Sequence, residues 1–257
     1  MRNRDLSLEI IRIVDFITEV LNQSGLSKLI IGLSGGIDSA LSATLAVKAI
    51  GKENVIGVML PYKDSSQASF DDAKTLAEFL GINYYKVDIT PMVDAYFSTT
   101  GMDANSLRKG NYMARMRMIV LYDFSAKYQA LVVGTGNKSE LLTGYCTQYG
   151  DSACAFEPLG HLYKSEVWNM ARMLNVPEII IDKKPTADLW SNQTDEQEMG
   201  ITYPQLDKTL YYKYELGLAD EQVLKQGITE RELSLVEKLY NKSKFKRVMP
   251  PMLEEID

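Results

Sequence analysis

The chain has 257 residues, 46% of them apolar, and a formal net charge of −6, so we expect residues 1–257 to form one globular α/β domain. The acidic balance gives no reason to expect nucleic-acid binding, and no apolar run approaches the ~18 residues of a membrane span, so we expect no membrane partner either. The two cysteines, Cys146 and Cys154, are too few for a disulfide framework, and a cytoplasmic location follows as the simpler expectation.

The apolar pattern predicts helices that alternate with strands. Apolar side chains recur at helical spacing over residues 5–23, and Gly25 ends that helix. Strands are predicted at 29–33, 55–60, 84–89 and 130–134, with intervening helices at 40–50, 70–80 and about 104–128. This alternation predicts an α/β fold with a doubly wound, mostly parallel sheet flanked by helices.

The second half of the chain is less regular. It contains an irregular loop at 144–159, a helix at 165–174, and a short strand or turn at 176–181. We expect the polar segment 190–200 to act as a lid, and two or three helices to follow over 203–243. The acidic residues of that polar segment, Asp195 among them, have a solvated face as their default interpretation. The basic segment 242–251 is expected either to be disordered or to fold over an anionic ligand.

The first strand runs into a glycine turn and a helix start, Gly32-Leu33-Ser34-Gly35-Gly36-Ile37-Asp38-Ser39. Such a turn directs backbone N–H groups outward at a positive helix end, which is an anion site. The Asp38 carboxylate is sensible there only if a cation such as Mg²⁺ bridges it to the anion. The alternative is a turn that merely caps an ordinary strand–helix unit. No Lys follows the glycines, so the string is not the common phosphate loop.

A second turn, Gly134-Thr135-Gly136-Asn137-Lys138-Ser139-Glu140, follows the fourth strand at the same edge of the sheet. Thr135 can hydrogen-bond a phosphate or a ribose. Glu140 and Asp38 together suit a Mg²⁺ clamp beside a phosphate. Taken alone, Glu140 is also a common first-turn helix residue. Near the end of the second strand, Tyr62 and the Met59–Leu60 backbone either hold adenine or simply end the strand.

The helix at 104–128 carries a polar face with Asn111 and Arg115 on it, and an apolar stripe whose usual role is core or helix contact. The stripe consists of Met113, Met116, Val120 and Phe124. His161 is the chain's one histidine, so neither a zinc site nor a Ser/His triad is credible. The cysteines are expected to be packing residues.

Together these strings resemble one family, the short ammonia-dependent NAD synthetases of the ATP pyrophosphatase superfamily. The specific part of the resemblance is a series in fixed order: Lys109-Gly110-Asn111-x-x-x-Arg115, Gly134-Thr135-x-Asn137-Lys138-Ser139-Glu140, Tyr149-Gly150-Asp151, Lys164, and Pro185-Thr186-Ala187-Asp188-Leu189. The resemblance covers nearly the whole chain. It implies an adenine nucleotide alpha-hydrolase-like, Rossmann-like fold and a homodimer with the dinucleotide at the subunit interface. The apolar stripe of the helix at 104–128 and the apolar face of the first helix suit that arrangement.

The implied reaction has two steps. The nicotinate carboxylate of deamido-NAD attacks the α-phosphate of ATP, which gives an adenylate and pyrophosphate, and ammonia then displaces AMP to give NAD. The backbone and side chains of Gly32–Ser39 would bind ATP, helped by Thr135, Lys164 and Thr186. Asp38 and Glu140 would hold Mg²⁺. Asn111, Arg115, Glu198 and Lys246 would bind deamido-NAD. Lys164 and Asp151 would be catalytic, Lys164 by neutralising phosphate charge and Asp151 by holding or deprotonating ammonium.

The chain departs from many family members at four places, namely Gly136-Asn137, Gln148, Ala155 and Phe245. These positions mostly touch the dinucleotide, so they put its detailed binding in doubt and leave the adenylation chemistry untouched.

Three rival interpretations remain at this stage. One is another ATP pyrophosphatase that amidates or thiolates its substrate. The second is a nucleotide-binding module without chemistry, which intact Asp38, Glu140 and Lys164 disfavour. The third is a glutamine-dependent enzyme, for which 257 residues leave no glutaminase domain.

Overall fold

Four parallel strands form the centre of the computed structural model, which describes residues 2, 4–186, 188 and 194–253. They are β1 (Lys28–Gly32), β2 (Val55–Met59), β3 (Asn83–Lys86) and β4 (Ala130–Val133), in the order β3-β2-β1-β4. Ile30 of β1 lies opposite Ile56 of β2 and Val132 of β4. The predicted doubly wound parallel sheet is therefore confirmed.

Twelve α-helices occur in the described part of the chain. The first six are α1 (Leu6–Ser24), α2 (Ile37–Ile50), α3 (Gln67–Leu80), α4 (Thr90–Thr100), α5 (Ser106–Tyr128) and α6 (Lys138–Thr143). The remaining six are α7 (Lys164–Met173), α8 (Glu178–Ile181), α9 (Asp195–Met199), α10 (Tyr203–Leu210), α11 (Asp220–Leu224) and α12 (Glu230–Lys242). A π-helical turn at Tyr211–Glu215 extends α10. None of the described helices has the length and apolar character needed to cross a bilayer.

Successive β1 side chains point to opposite faces of the sheet, and helices cover both faces. Leu29 and Ile31 enter a core shared with α1, α2, α3, α7 and α8. Ile30 enters a second core formed with α4 and α5. A third cluster joins α7, α10 and α12 around Tyr203. The site described below lies where these three clusters meet at the carboxyl ends of the strands.

One expectation for an element is wrong, one helix was not expected, and one expected segment lies partly outside the described residues. Residues 176–181 contain no strand but the short helix α8, which begins after Pro177 and buries Ile180 and Ile181 against the first core. Helix α4 was not predicted, because Val93 is its single buried residue and the sequence there has little apolar periodicity. Of the expected lid, residues 190–193 lie outside the described residues, and α9 forms its second half.

The apolar faces linked to a dimer pack inside the subunit instead. Met113 and Val120 are buried in the second core, and the inward face of α1 is buried in the first, with Ile17 fully inaccessible. These faces were the sequence support for a homodimer, and the fold uses them for its own core. Other apolar residues of the two helices are exposed, among them Leu107, Ile119 and Ile11.

Candidate active site

A cavity of about 570 Å³ opens at the carboxyl edge of the sheet. It lies beside the neighbouring ends of β1 and β4, whose crossovers pass to opposite faces of the sheet, and this is where open α/β sheets bind their ligands. Most of the predicted site residues line it: Gly32, Leu33, Ser34, Gly36, Ile37, Asp38, Ser39, Asn111, Thr135, Glu140, Asp151, Lys164, Thr186, Glu198 and Lys246. Six motifs from separate parts of the sequence thus converge on one cavity.

The loop between β1 and α2 is held open by its own serines. Ser34 Oγ lies 3.1 Å from Ser39 Oγ and accepts a hydrogen bond from Gly36 N at 3.2 Å. No side chain in the described part of the chain caps the N-terminus of α2 at Gly36, so the first N–H groups of this helix have no capping side chain there. The predicted anion site at this turn therefore has free backbone donors in the structure.

Gly35 makes this loop possible. Its φ of +75° lies in the left-handed region, and a Cβ at this position would lie 2.1 Å from Ser69 O of α3. Lys183 fixes the same contact, since its Nζ donates to Ser69 Oγ at 3.1 Å, to Gly35 O at 3.4 Å and to Asp72 Oδ2 at 2.8 Å. Gly35 thus faces α3, while its neighbours in the loop face the cavity.

Lys164, the first residue of α7, lies between the two predicted metal carboxylates. Its side chain is 2% exposed, and its Nζ forms ion pairs with Asp38 and, at 3.1 Å, with Glu140. Burial opposes the ammonium charge, but the Asp38 and Glu140 carboxylates outweigh it and raise the pKa of Lys164. The lysine therefore stays protonated, and the usual expectation of a solvated helix-start lysine is wrong here.

Asn137 connects the two loops, a role that was not predicted. Its Oδ1 accepts from Glu140 N at 3.1 Å and its Nδ2 donates to Asp38 Oδ1 at 2.9 Å. The Glu140 carboxylate reaches back to Asn137 N at 3.3 Å, which completes a capping box at the start of α6. The pattern Asn-x-x-Glu after a strand is a signal of such a cap, but the bond to Asp38 joins residues 99 positions apart.

Asp207 of α10 helps to hold the Lys164 backbone in place, and the sequence did not predict this role. The carboxylate is fully buried and accepts from Ser139 Oγ and from Ser165 N at 2.8 Å. Ser139 Oγ in turn accepts from Lys164 N at 3.0 Å. Burial raises the pKa of Asp207, although the hydrogen bonds to the two serines oppose the shift. The starts of α6 and α7 are thus fixed to one buried carboxylate.

A layer of tyrosines and acids closes the side of the cavity that faces α9 and α10. Tyr203 OH donates to Asp195 Oδ2 at 3.1 Å, and Tyr145 OH donates to Asp195 Oδ1 at 3.2 Å and to Glu198. Asp195 is 5% exposed, so the default of a solvated acidic face is wrong at this residue. Burial raises the pKa of Asp195.

Asp38 and Glu140 together make a donor set that fits Mg²⁺ only with oxygens from a phosphate. In the described part of the chain no three His, Cys, Asp or Glu side chains are grouped as a metal site would require. Magnesium is typically held by one or two carboxylates with substrate phosphates and water, and not by a cage of protein ligands. Two carboxylates beside an anion-binding loop are consistent with that arrangement.

The loop at 144–153 covers the end of the cavity nearest α5. Thr147 N donates to Asp151 Oδ1 at 2.8 Å, and Thr147 Oγ1 donates to Asn111 Oδ1 at 2.8 Å. Asp151 is open to the solvent in the cavity but is closely surrounded by protein atoms, and this desolvation raises its pKa. Lys246 ties the C-terminal segment to this loop through Gly144 O at 2.7 Å and Cys146 O at 2.6 Å.

Two candidates lie away from the cavity. Arg115 is exposed on the outer side of α5 and donates to Gln148 O at 3.3 Å. Tyr62 is buried and donates from its hydroxyl to Asp94 Oδ1 at 2.7 Å, so its side chain serves the end of β2. Leu60 does line the cavity, and its carbonyl accepts from Arg117 Nε at 3.0 Å. Arg117 therefore contacts the end of β2 from within the cavity wall, which Tyr62 does not line.

Comparisons with known proteins agree with this geometry. A family model described as NAD synthase matches residues 9–250. The NH(3)-dependent NAD(+) synthetase of Fusobacterium nucleatum subsp. nucleatum is 48% identical over 252 residues, which cover 97% of each chain. Two solved structures match 98% of this chain and 100% of their own. An NMN synthetase from Francisella tularensis does so with a TM-score of 0.88 and 33% identity. An NH3-dependent NAD synthetase from Campylobacter jejuni subsp. jejuni has a TM-score of 0.84 and 37% identity.

Proposed function

The chain belongs to the NAD synthase family, and we propose that it uses ATP and ammonia to convert the nicotinate carboxylate of deamido-NAD into the amide of NAD. The enzyme is then a ligase that forms a C–N bond, with AMP and pyrophosphate as the other products. The observation that carries the proposal is the grouping of an uncapped helix start, two carboxylates and a buried lysine around one cavity.

The first step joins two anions, so it needs alignment and charge neutralisation. A nicotinate oxygen attacks the α-phosphorus, the bond from that phosphorus to the bridging oxygen breaks, and pyrophosphate leaves with the electron pair. The N–H groups of the Ser34–Ser39 loop hold the departing pyrophosphate. Lys164 neutralises phosphate charge, and Thr135 and Thr186, which both line the cavity, contact ATP.

Asp38 and Glu140 hold Mg²⁺ in this proposal, supported by their convergence on Lys164 beside the loop. When bound, the ion supplies further positive charge to the phosphate oxygens. Asn137 orients Asp38 through its 2.9 Å hydrogen bond, and outer contacts of this kind are a common means of fixing metal carboxylates.

The second step needs ammonia at the activated carbonyl. Asp151 lies in the cavity wall, and its raised pKa suits a group that takes a proton from ammonium. Asn111, Glu198 and Lys246 line the same cavity and contact deamido-NAD. Arg115 lies on the exposed side of α5, so it contacts the part of the dinucleotide that extends beyond the cavity.

We also propose a homodimer in which deamido-NAD lies at the interface, in keeping with the exposed position of Arg115. Leu107 and Ile119 are 63% and 53% exposed on α5, the helix that carries this arginine. Equilibrium sedimentation tests this, because a monomer at micromolar concentration would contradict it. The two unpaired cysteines support a cytoplasmic location.

The decisive assay combines purified protein with ATP, Mg²⁺, deamido-NAD and ammonium, and follows NAD and pyrophosphate together. Equal amounts of both products are expected, with no NAD when glutamine replaces ammonium. Pyrophosphate without NAD would support adenylation and exclude ammonia as the nitrogen donor. If neither product forms although ATP binds, the substrate assignment is wrong.

A second candidate substrate is the mononucleotide, nicotinate mononucleotide. The observation that favours it is the match to an NMN synthetase over 98% of this chain with a TM-score of 0.88. The two candidates differ in the adenylyl half of the substrate alone, so competing them in one reaction gives the ratio of kcat/KM directly. We expect deamido-NAD to be preferred, given 48% identity to an NH(3)-dependent NAD(+) synthetase.

A further inference from the structure

Arg117 is a cation in the cavity wall that the preceding assignments leave without a role. It lies on α5, and its Nε donates to Leu60 O at 3.0 Å, at the carboxyl end of β2. This hydrogen bond fixes the guanidinium plane against the backbone. The two terminal amino groups, Nη1 and Nη2, have no hydrogen-bond partner among the described residues. They remain available to a ligand in the cavity that the residue lines.

Among the described residues, no carboxylate forms an ion pair with Arg117. Desolvation lowers its pKa, and the carboxylates of Asp188 and Asp151 oppose this shift without forming an ion pair with it. Two other cations in the wall are paired with carboxylates: Lys164 with Asp38 and Glu140, and Lys183 with Asp72 at 2.8 Å. An enclosed guanidinium without a counter-charge is unfavourable. Its presence in the cavity wall is explained if an anion binds beside it.

We propose that Arg117 binds the α-phosphate of ATP and of the adenylated intermediate, and the proposal rests on the function assigned above. The Ser34–Ser39 loop after β1 takes the pyrophosphate portion. One of the two strands beside β1 is β2, which ends next to Leu60, whose backbone is a candidate for holding adenine. The phosphate nearest the nucleoside then lies between that loop and the end of β2. Arg117 is held at this end, and its free Nη1 and Nη2 match two phosphate oxygens, the bidentate geometry that guanidinium favours.

The same position gives Arg117 a part in the first step. Negative charge at the α-phosphate oxygens must be balanced while the nicotinate oxygen attacks and pyrophosphate departs. A fixed donor aimed at those oxygens is typically worth about 100-fold in kcat. Because the phosphate stays attached to the adenylate, Arg117 also holds the intermediate until ammonia arrives.

The test compares AMP, which carries this phosphate, with adenosine, which lacks it, by isothermal titration calorimetry. Arg117→Met is expected to weaken AMP binding at least tenfold and to leave adenosine binding within twofold. Arg117→Lys is expected to recover part of the AMP affinity. Arg108→Met is the matched control, since Arg108 lies on the same helix outside the cavity wall and its loss should change neither affinity.

Three results would overturn the inference. Equal losses for AMP and adenosine would mean that Arg117 only supports Leu60 and the nucleoside site. Unchanged AMP affinity in Arg117→Met would mean that the phosphate binds elsewhere. If the wild-type protein makes NAD but binds AMP and adenosine with equal affinity, the inference is wrong and the proposed function stands. If the methionine variant unfolds, the lysine variant decides: an AMP affinity equal to wild type, with kcat also unchanged, would contradict a bidentate role.

Discussion

Substitution of Gly35 by alanine tests whether the Ser34–Ser39 loop depends on the close approach of Gly35 to α3. The alanine Cβ would lie 2.1 Å from Ser69 O, and ordinary contact begins at 3.4 Å, so the loop must move by about 1.3 Å. The φ of +75° adds strain of about 1–2 kcal/mol for a residue with a side chain. A displacement of about 1 Å in a positioning group can reduce the rate 100-fold. We therefore expect kcat/KM for pyrophosphate release to fall by about 100-fold or more.

Gly25→Ala is the matched control, because Gly25 has a φ of +71° but an added Cβ would meet nothing within 4 Å. It should lose about 1–2 kcal/mol of unfolding free energy and keep wild-type kcat/KM. Urea unfolding and a continuous pyrophosphate assay measure the two quantities. The reasoning fails if Gly35→Ala retains kcat/KM within threefold, or if both variants lose activity equally.

Three further predictions concern the second loop, the acid stability and the core. Asn137→Ala should lose about 1 kcal/mol of stability, because the cap of α6 is removed. It should also require at least tenfold more Mg²⁺ for half-maximal activity, because Asp38 loses its orienting donor. An unchanged Mg²⁺ titration would contradict this. Partial burial opposes ionisation of Glu215, but the hydrogen bonds and charges of Arg2 and Lys138 lower its pKa to about 2. Its carboxylate therefore stabilises the fold above about pH 4.5, and this contribution is lost as the pH falls toward 2. Glu215→Gln should lose about 1 kcal/mol of unfolding free energy at pH 7 and none near pH 2, as measured by urea titrations. Ile17→Ala in the first core should cost about 2–5 kcal/mol by the same measurement without altering kcat at 25 °C.

The sequence was informative where function depends on local strings. The turns after β1 and β4 were found because glycine turns between a strand and a helix have a recognisable local pattern, and the parallel sheet then brings their carboxylates together. Lys164 was found by family resemblance, but its burial between Asp38 and Glu140 was not. A lysine at a helix start more often lies in solvent, and the pairing joins residues up to 126 positions apart.

The residues that sequence reasoning missed act through long-range contacts. Asp207 supports Lys164 through side chains on three different helices, and no local pattern marks an aspartate in α10 as buried. Arg117 received no role from the sequence, since the polar face was drawn through Asn111 and Arg115. Two positions along a helix are about 200° apart, so Arg117 faces inward where Arg115 faces solvent. Strong local signals thus predicted the loops, and tertiary packing decided which neighbouring side chains enter the cavity.

The charge balance of the cavity explains why the first step needs added positive charge. Of the described residues that line it, six are carboxylates and five are cations: Asp38, Glu140, Asp151, Asp188, Asp195 and Glu198 against Lys164, Lys183, Lys184, Arg117 and Lys246. ATP and a nicotinate carboxylate bring further negative charge into a wall that is already slightly acidic. Lys164 and Lys183 are already paired with carboxylates, which offsets part of the positive charge that they can offer to the phosphates. Chelation of Mg²⁺ should therefore abolish pyrophosphate release, whereas adenosine, which carries no charge, should bind equally well with and without the ion. Equal ATP turnover in the chelator would show that the protein cations alone suffice.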